Sequence, residues 1–402
     1  MSRTRLSLWL QPDSENHRGV AQFTEASPRL RDEIIVHALS VLLCIFFLTH
    51  FATAASIPAP SLLKAAAEAR AKGYIFETSH DEIVAKAKTE GRLRVLSGLD
   101  QQANSAIRDA FKKRYPFIEV HVEEIPVEAG QRLLLEMRTG KPGNWDVNHL
   151  AIDLYPEYLP YQKKFDILGM AREGVLNIPA QMVDPANRNV VALGSDIQVI
   201  AYNTKLLPAA LIPEQWTDFL RPELKGRKFV ADIRTTAIAS FVPAWGLEKT
   251  LEFARNLAAQ KPVWARGYTR VAAGLVAGEH KLFFGPTYGS VRRAQAKDPS
   301  GSLGIKVLEP VPTRIGDAHA VQEKAGNPYA ALLWLEFQAG PEGQKILDDA
   351  IPYGASVYAS ATVQAQLTAG KKLSLVDWSH FTKMQEYMGK TFEAYGFPKA
   401  ER

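Results

Sequence analysis

Cysteine is almost absent from this chain of 402 residues. The single cysteine, Cys44, lies within the apolar run Ala38 to Phe51, close to the N-terminus. If residues 1–54 are removed as a leader, the remaining chain has no thiol. Disulfides, iron–sulfur clusters, thiolate zinc sites and cysteine nucleophiles are then excluded.

The familiar sequence motifs of catalytic sites are missing as well. The chain has no H-E-x-x-H, no G-x-S-x-G and no G-x-x-x-x-G-K-[ST]. Serine, histidine and aspartate occur together in Asp377-Trp378-Ser379-His380, but a catalytic triad is assembled from distant segments, so this stretch predicts the start of a helix. We therefore expect a protein that is not an enzyme.

Long runs of basic residues are also lacking. The net charge is +5, and removal of residues 1–54 leaves it unchanged, because that segment holds five basic and five acidic residues. No basic run is longer than Lys112-Lys113-Arg114. Without a basic stripe interleaved with aromatic side chains, the sequence does not favour a nucleic-acid partner.

The apolar run near the N-terminus is typical of an export signal. It has 14 residues, follows Arg29 and Arg31, and precedes Ala52-Thr53-Ala54, a pattern that suits signal peptidase. A spanning helix needs about 20 apolar residues, so an uncleaved anchor is the weaker alternative. We expect residues 1–54 to be a cleaved signal peptide and the mature protein to be periplasmic. The long polar stretch before the run suggests the further hypothesis that translation starts after Met1.

The rest of the chain alternates between strand-like and helix-like segments. Helical patterns fill residues 61–90, and a β-α-β-α-β series follows, with strands LRVLSG, FIEVHVEEI and DVNHLAI. A second series runs from KFVADI to the helix TYGSVRRAQAK, and the chain closes with helices. Two α/β series separated by the strands DIQVIAYN and LGIKVLEPVP predict two lobes with a cleft between them.

Five segments, in this order, resemble the extracellular solute-binding proteins of ABC transporters. They are GRLRVLSG, DIQVIAYNTKLLP, IPEQWTDFLRPELKGRKFVAD, VAAGLVAGEHKLFF and GNPYAALLWLEFQAGPEGQKIL. The most similar branch contains binders of ferric iron, thiamine and polyamines. The resemblance implies a type 2 periplasmic-binding fold, in which two α/β lobes are joined by two hinge strands and a ligand is held between the lobes. It further implies a monomer without a cofactor that delivers its ligand to an ABC permease and its ATPase. An enzyme built on this fold is the alternative.

This resemblance and the segment pattern together divide the chain. We expect a signal peptide at 1–54, an N-terminal helical extension at 55–90, the first part of lobe 1 at 91–195, a hinge strand at 196–203, lobe 2 at 204–303, a second hinge strand at 304–312, and the second part of lobe 1 with the C-terminal helices at 313–402.

Ligands of open α/β sheets bind outside the carboxyl ends of the strands. The loops at these ends supply seven candidate ligand-binding residues, and an eighth follows the second hinge strand. The candidates are Ser97, Gly98, Asp153, Arg234, Thr235, Thr236, Tyr288 and His319.

For several candidates a structural role is an equal alternative. Gly98 could provide bare backbone to a ligand or serve a turn, and Thr235 or Thr236 could cap a helix. Tyr288 could stack on a ligand or pack the mouth of the cleft. Arg234 stands beside a positive helix end, where either an acidic partner or an anionic ligand would explain it.

Ferric iron prefers phenolate, carboxylate and imidazole ligands. The sequence offers Tyr288, Tyr353, Tyr358, Asp317 and His319, but it has no Tyr-Tyr pair, which the family's iron binders typically present. Asp317 and His319 point to the same side of an extended segment and could contribute to a site, although a surface position explains them equally well. We expect a small polar solute, either an anionic one or ferric iron, with the metal ligands unassigned.

Overall fold

The structure is a computed structural model that describes residues 59–125, 129–140, 143–150, 154–351 and 354–397. The predicted signal peptide and the candidate Asp153 lie outside these ranges, as does Tyr353. Within the described ranges, no helix has the length and apolar character needed to cross a membrane.

Ten strands of the described residues form one hydrogen-bonded system in the order β2-β1-β3-β9-β4-β7-β5-β6, with β10 beside β9 and β8 beside β4. Their bounds are β1 Arg92–Ser97, β2 Glu119–Glu124, β3 Val147–Leu150, β4 Val190–Asn203, β5 Val230–Asp232, β6 Val263–Ala265, β7 Leu282–Thr287, β8 Leu303–Lys306, β9 Val311–Val321 and β10 Leu373–Val376.

Helices cover both faces of the strands. In chain order they are α1 Pro60–Ala71, α2 His80–Glu90, α3 Gln101–Arg114, α4 Gly130–Arg138, α5 Tyr155–Tyr158, α6 Ile167–Arg172, α7 Thr236–Ala239, α8 Val242–Trp245, α9 Leu247–Ala259, α10 Tyr268–Val276, α11 Tyr288–Gln295, α12 Pro328–Ala339, α13 Pro341–Ala350, α14 Val363–Thr368, α15 Trp378–Phe381 and α16 Met384–Ala394.

The long strand β4 belongs to two sheets. Its first half pairs antiparallel with β9, from Val190 opposite Ala320 to Ile197 opposite Thr313. Its second half pairs with β7 and β8. The predicted hinge strand 196–203 is therefore the second half of a longer strand, and 304–312 covers most of β8 and the first residues of β9. β4 joins a first sheet, built around β1, β3 and β9, to a second one, built around β5 and β7.

Each sheet has the parallel pairs that the alternating pattern predicts. β1 runs parallel to both β2 and β3, and β5 runs parallel to both β6 and β7. Parallel neighbours end at the same edge of a sheet, so the carboxyl ends of β1 and β3 lie together. The predicted α/β arrangement is confirmed.

The first sheet is covered by α12, an almost wholly apolar helix whose residues Ala330–Ala339 are all buried. A helix that is apolar on all sides must be enclosed, and α2 and α3 pack against it. The carboxylate of Glu90, at the end of α2, accepts hydrogen bonds from the backbone N–H groups of Tyr329 and Ala330 in the first turn of α12. The N-terminal helices are thus part of the first sheet's packing.

The second sheet is packed by an aromatic cluster around Trp216. The segment WTDFLRPELKG forms two short 3-10 helices, Trp216–Leu220 and Pro222–Leu224. The indole of Trp216 lies 5.0 Å from the ring of Phe241 and 5.4 Å from that of Phe284, centroid to centroid. Its Nε1–H donates to the carbonyl of Pro310 at 2.9 Å, just before β9 begins. The motif therefore attaches the second sheet to the chain segment that returns to the first.

Candidate functional site

Three polar side chains meet where β3 and β9 lie side by side. His149 is the penultimate residue of β3, and the antiparallel register places it directly opposite His319 of β9. Asp317 stands two residues before His319 on the same strand, and its carboxylate lies beside the ring of His319. The register therefore brings two imidazoles and one carboxylate to the carboxyl edge of the first sheet.

The carboxylate lies between the two rings. Oδ1 of Asp317 is 2.9 Å from Nε2 of His319 and 3.1 Å from Nδ1 of His149. One potential ligand atom from each of the three residues lies within 4.8 Å of the others. The side chain of His319 is wholly buried, whereas those of His149 and Asp317 are each 18% exposed. The cluster is therefore buried on the side of His319 and accessible to solvent on the side of His149 and Asp317.

Electrostatics keep Asp317 ionised. Burial disfavours its charge, but the two adjacent histidines outweigh this effect and hold the pKa of the Asp317 carboxyl well below its usual range. Its second oxygen, Oδ2, and Nδ1 of His319 are buried and have no hydrogen-bond partner among the described residues. A carboxylate oxygen and an imidazole nitrogen of the same cluster are thus available to bind a further group.

Because Gly98 has no side chain, the ring of His149 can fill the space beside its backbone. A Cβ at residue 98 would lie 2.7 Å from Cε1 of His149, closer than real Cβ contacts occur. Ser97 is fully buried, and its Oγ accepts a hydrogen bond from the N–H of Leu99 within the turn. Of the eight sequence candidates, the structure brings Gly98 and His319 together, while the Ser97 hydroxyl is engaged in the local turn.

The sequence did not identify His149, although it is central to this cluster. In the string DVNHLAI the histidine stands where a strand is expected, and nothing local shows which strand will lie beside it. The pairing with β9 joins residues about 170 positions apart. The position of a histidine one residue before the end of a strand is a local signal for it.

Arg234 already has an acidic partner. Its Nε and Nη2 donate to the two carboxylate oxygens of Asp232 at 3.0 and 2.7 Å, and its guanidinium lies 4.7 Å from the centre of the Tyr268 ring. The hydrogen bond to Asp232 raises the pKa of Arg234, and burial opposes the rise only in part. The side chain remains 42% exposed. The sequence left an acidic partner or an anionic ligand as the explanation of Arg234, and the structure contains the acidic partner.

The two threonines contact the C-terminal helix. The Thr235 hydroxyl donates to the carbonyl of Met388 in α16 at 2.8 Å, and the Thr236 hydroxyl lies 3.8 Å from the Met388 sulfur. Thr235 occupies the N-cap position of α7 but forms no side-chain capping bond. The expectation of an ordinary threonine cap is therefore wrong here, because α16 takes the hydroxyl instead.

Tyr288 lies mostly inside the second sheet's packing. It is 8% exposed and belongs to an apolar cluster with Val271 and Val291, and burial raises the pKa of its phenol. Asp377 caps the short helix α15 by accepting hydrogen bonds from the N–H and hydroxyl of Ser379. The predicted helix start at Asp377-Trp378-Ser379-His380 is confirmed.

Two α/β sheets that are joined by crossing strands make up the type 2 periplasmic-binding-protein fold. The chain belongs to the family of bacterial extracellular solute-binding proteins, whose family model matches residues 160–383. The recognised family and fold class are thereby confirmed. No curated protein matched the sequence.

Solved structures with the same fold cover about three quarters of the chain. Iron-bound HitA from Pseudomonas aeruginosa has a TM-score of 0.57 at 16% identity, over 75% of this chain and 99% of its own. A Trichodesmium protein solved with iron and citrate has a TM-score of 0.58 at 17% identity, over 76% and 99%. The ferric binding protein from Campylobacter jejuni has 0.55 at 20%, over 76% and 100%. At these identities the likeness establishes the fold.

Proposed function

We propose that this protein is an exported receptor of an ABC import system, not an enzyme, and that it delivers a metal-containing solute to a membrane permease. Residues 1–54 act as the cleaved signal, and the mature receptor works as a monomer in the periplasm. Family membership supports solute binding as the activity. The solute is small and polar, as befits a cleft with a few convergent polar groups.

The cluster of His149, Asp317 and His319 is the observation that carries the choice of solute. A carboxylate oxygen and two imidazole nitrogens lie within 4.8 Å of one another here, and these donor types bind metal cations. The arginine that suggested a free organic anion is already neutralised by Asp232. The solved neighbours, which are iron-bound or named ferric-binding proteins, support the same class of solute.

In this proposal two further sequence candidates take part in binding. The Arg234 side chain is 42% exposed, and in this proposal it contacts an anion that accompanies the metal. Gly98 borders the cluster directly. In this proposal Ser97, Thr235, Thr236 and Tyr288 support the loops around the cleft, and Asp153 follows β3 in the sequence.

A thermal-shift screen of the mature chain tests this function. The screen compares ferric citrate, divalent metal ions, citrate alone, phosphate and polyamines, after removal of metal with a chelator. A ligand at 100 times its dissociation constant adds about 2.7 kcal/mol of stability. We expect a metal-containing solute to stabilise the chain and metal-free anions to have little effect. Equal stabilisation by citrate alone, or chemical turnover of any compound, would contradict the proposal.

A further inference from the structure

We propose that His149, Asp317 and His319 directly coordinate a divalent transition-metal ion through two imidazole nitrogens and one carboxylate oxygen. The biological role of this ion, as the cargo or as part of it, rests on the proposed function. The coordination itself rests only on the geometry of the three side chains.

The separations of the ligand atoms fit a single ion. Metal–nitrogen and metal–oxygen bonds of these residue types are about 2.0–2.2 Å long, so two ligand atoms at right angles around one ion lie about 3 Å apart. Oδ1 of Asp317 is 2.9 Å from one imidazole nitrogen and 3.1 Å from the other. The carboxylate oxygen and each imidazole can therefore occupy neighbouring positions of one coordination sphere with little movement.

The donor set selects the class of metal. Imidazole nitrogens suit zinc, copper, nickel and ferrous iron, whereas ferric iron prefers a more anionic set that includes phenolates. Only one of the three donors here is anionic. A site with three protein ligands leaves positions for water or a small anion. The partly exposed sides of His149 and Asp317 provide access for both.

The backbone fixes the three side chains before any ion arrives. His149 and His319 are paired residues of two central strands, and Ala318, between the two β9 ligands, pairs with both Leu150 and Ala192. Asp317 has a φ of 52°, a left-handed conformation that directs its carboxylate beside the two rings. Ligands on paired strands are held more accurately than ligands on free loops.

Unsatisfied atoms give an independent reason to expect a ligand. Oδ2 of Asp317 and Nδ1 of His319 are buried without a partner among the described residues. A buried polar atom without a partner destabilises the fold unless something binds it. A metal ion would balance the carboxylate charge, and the ordered water that accompanies it can reach the remaining polar atoms.

Cobalt(II) provides a direct spectroscopic probe of this site. The mature chain is stripped of metal and titrated with Co²⁺, whose visible absorption reports nitrogen and oxygen ligands, and Zn²⁺ is then added in competition. The variants are His149→Gln, Asp317→Asn and His319→Gln. The matched control is His121→Gln, because His121 is a well-exposed histidine of β2. We expect one equivalent of Co²⁺ in the wild type and the control, and an affinity at least about 100-fold lower in each site variant.

Two outcomes would overturn the inference: no binding of Co²⁺ or Zn²⁺ by the wild type, or binding that the three variants leave unchanged. His319 is fully buried, so urea unfolding of each variant is measured, and His149→Gln, at a partly exposed position, decides the question if His319→Gln fails to fold. The two proposals fail separately. If the variants lose Co²⁺ binding but keep ferric citrate binding, the three residues coordinate an ion that is not the cargo. If the variants bind Co²⁺ as the wild type does, the proposed coordination is wrong and the receptor function still stands.

Discussion

The imidazole of His149 lies against the α-carbon of Gly98, so that a methyl group on Gly98 would be 2.7 Å from Cε1 and 2.9 Å from Nδ1 of the ring. The turn after β1 and the end of β3 thus share one small volume. Gly98 has no side chain because the ring of its neighbour occupies that space. The glycine therefore acts on the cluster through the position of His149.

Gly98→Ala should displace the ring of His149. Because the added methyl group overlaps the imidazole, we expect Co²⁺ affinity to fall at least about tenfold, together with a loss of about 1–3 kcal/mol in the free energy of unfolding. Cobalt titration and urea unfolding measure the two effects. Gly326→Ala is the control, since a Cβ there meets nothing within 4 Å. Unchanged Co²⁺ affinity in Gly98→Ala would show that the ring position does not matter.

Asp232 should matter more to stability than Arg234. The Asp232 carboxylate is buried and accepts hydrogen bonds from the Arg234 side chain and from the backbone N–H groups of Arg234 and Gly267. Asp232→Ala removes all of them and should cost about 2–4 kcal/mol, whereas Arg234→Ala leaves the backbone donors in place and should cost about 1 kcal/mol. Urea unfolding gives both values. Equal losses would mean that the salt bridge, and not the loop, carries the stability.

Trp216 should stabilise the fold through both packing and its indole N–H. Trp216→Phe keeps an aromatic ring next to Phe241 and Phe284 but leaves the carbonyl of Pro310 without its donor, at a cost of about 1–2 kcal/mol. Trp216→Ala also opens a cavity and should cost about 3–5 kcal/mol. Denaturant midpoints separate the two contributions. If Trp216→Phe is as stable as the wild type, the hydrogen bond to the carbonyl of Pro310 does not contribute to stability.

Local patterns predicted the elements better than the site. Gly91 directly follows the helical pattern 61–90, and it ends α2 in the left-handed conformation, with a φ of 68°. Such signals lie within a few residues of what they determine. The DVNHLAI strand was also recognised, yet the role of His149 depends on β9, which only the folded sheet brings beside it. Long-range strand pairing has no local signature, and this is why His149 was missed.

The partner of Arg234 shows a related limit. Asp232 was treated as part of the strand KFVADI, and the sequence did not show that its side chain turns back to the residue two positions later. The same limit applies to Thr235, whose hydroxyl is taken by α16 from 153 residues away. The partner of each polar group depends on tertiary packing, which the local sequence does not show.

His80 should stabilise the fold in acid and not in base. Its Nε2 lies 2.9 Å from Oε2 of Glu336, whose other oxygen accepts the N–H of Asn177. The hydrogen bond to Glu336 raises the pKa of His80, although burial opposes the rise. A raised pKa in the folded state means that the stabilisation is complete below about pH 6.5, the value of an unfolded histidine, and is lost as the pH rises through the folded value.

His80→Gln should therefore lower the urea midpoint near pH 5.5 and barely change it near pH 9. The effect should stay below about 1 kcal/mol, because the imidazole is 37% exposed. His121→Gln, measured alongside, should show no such difference, and an equal loss for His80→Gln at both pH values would mean that packing and not charge explains the contact.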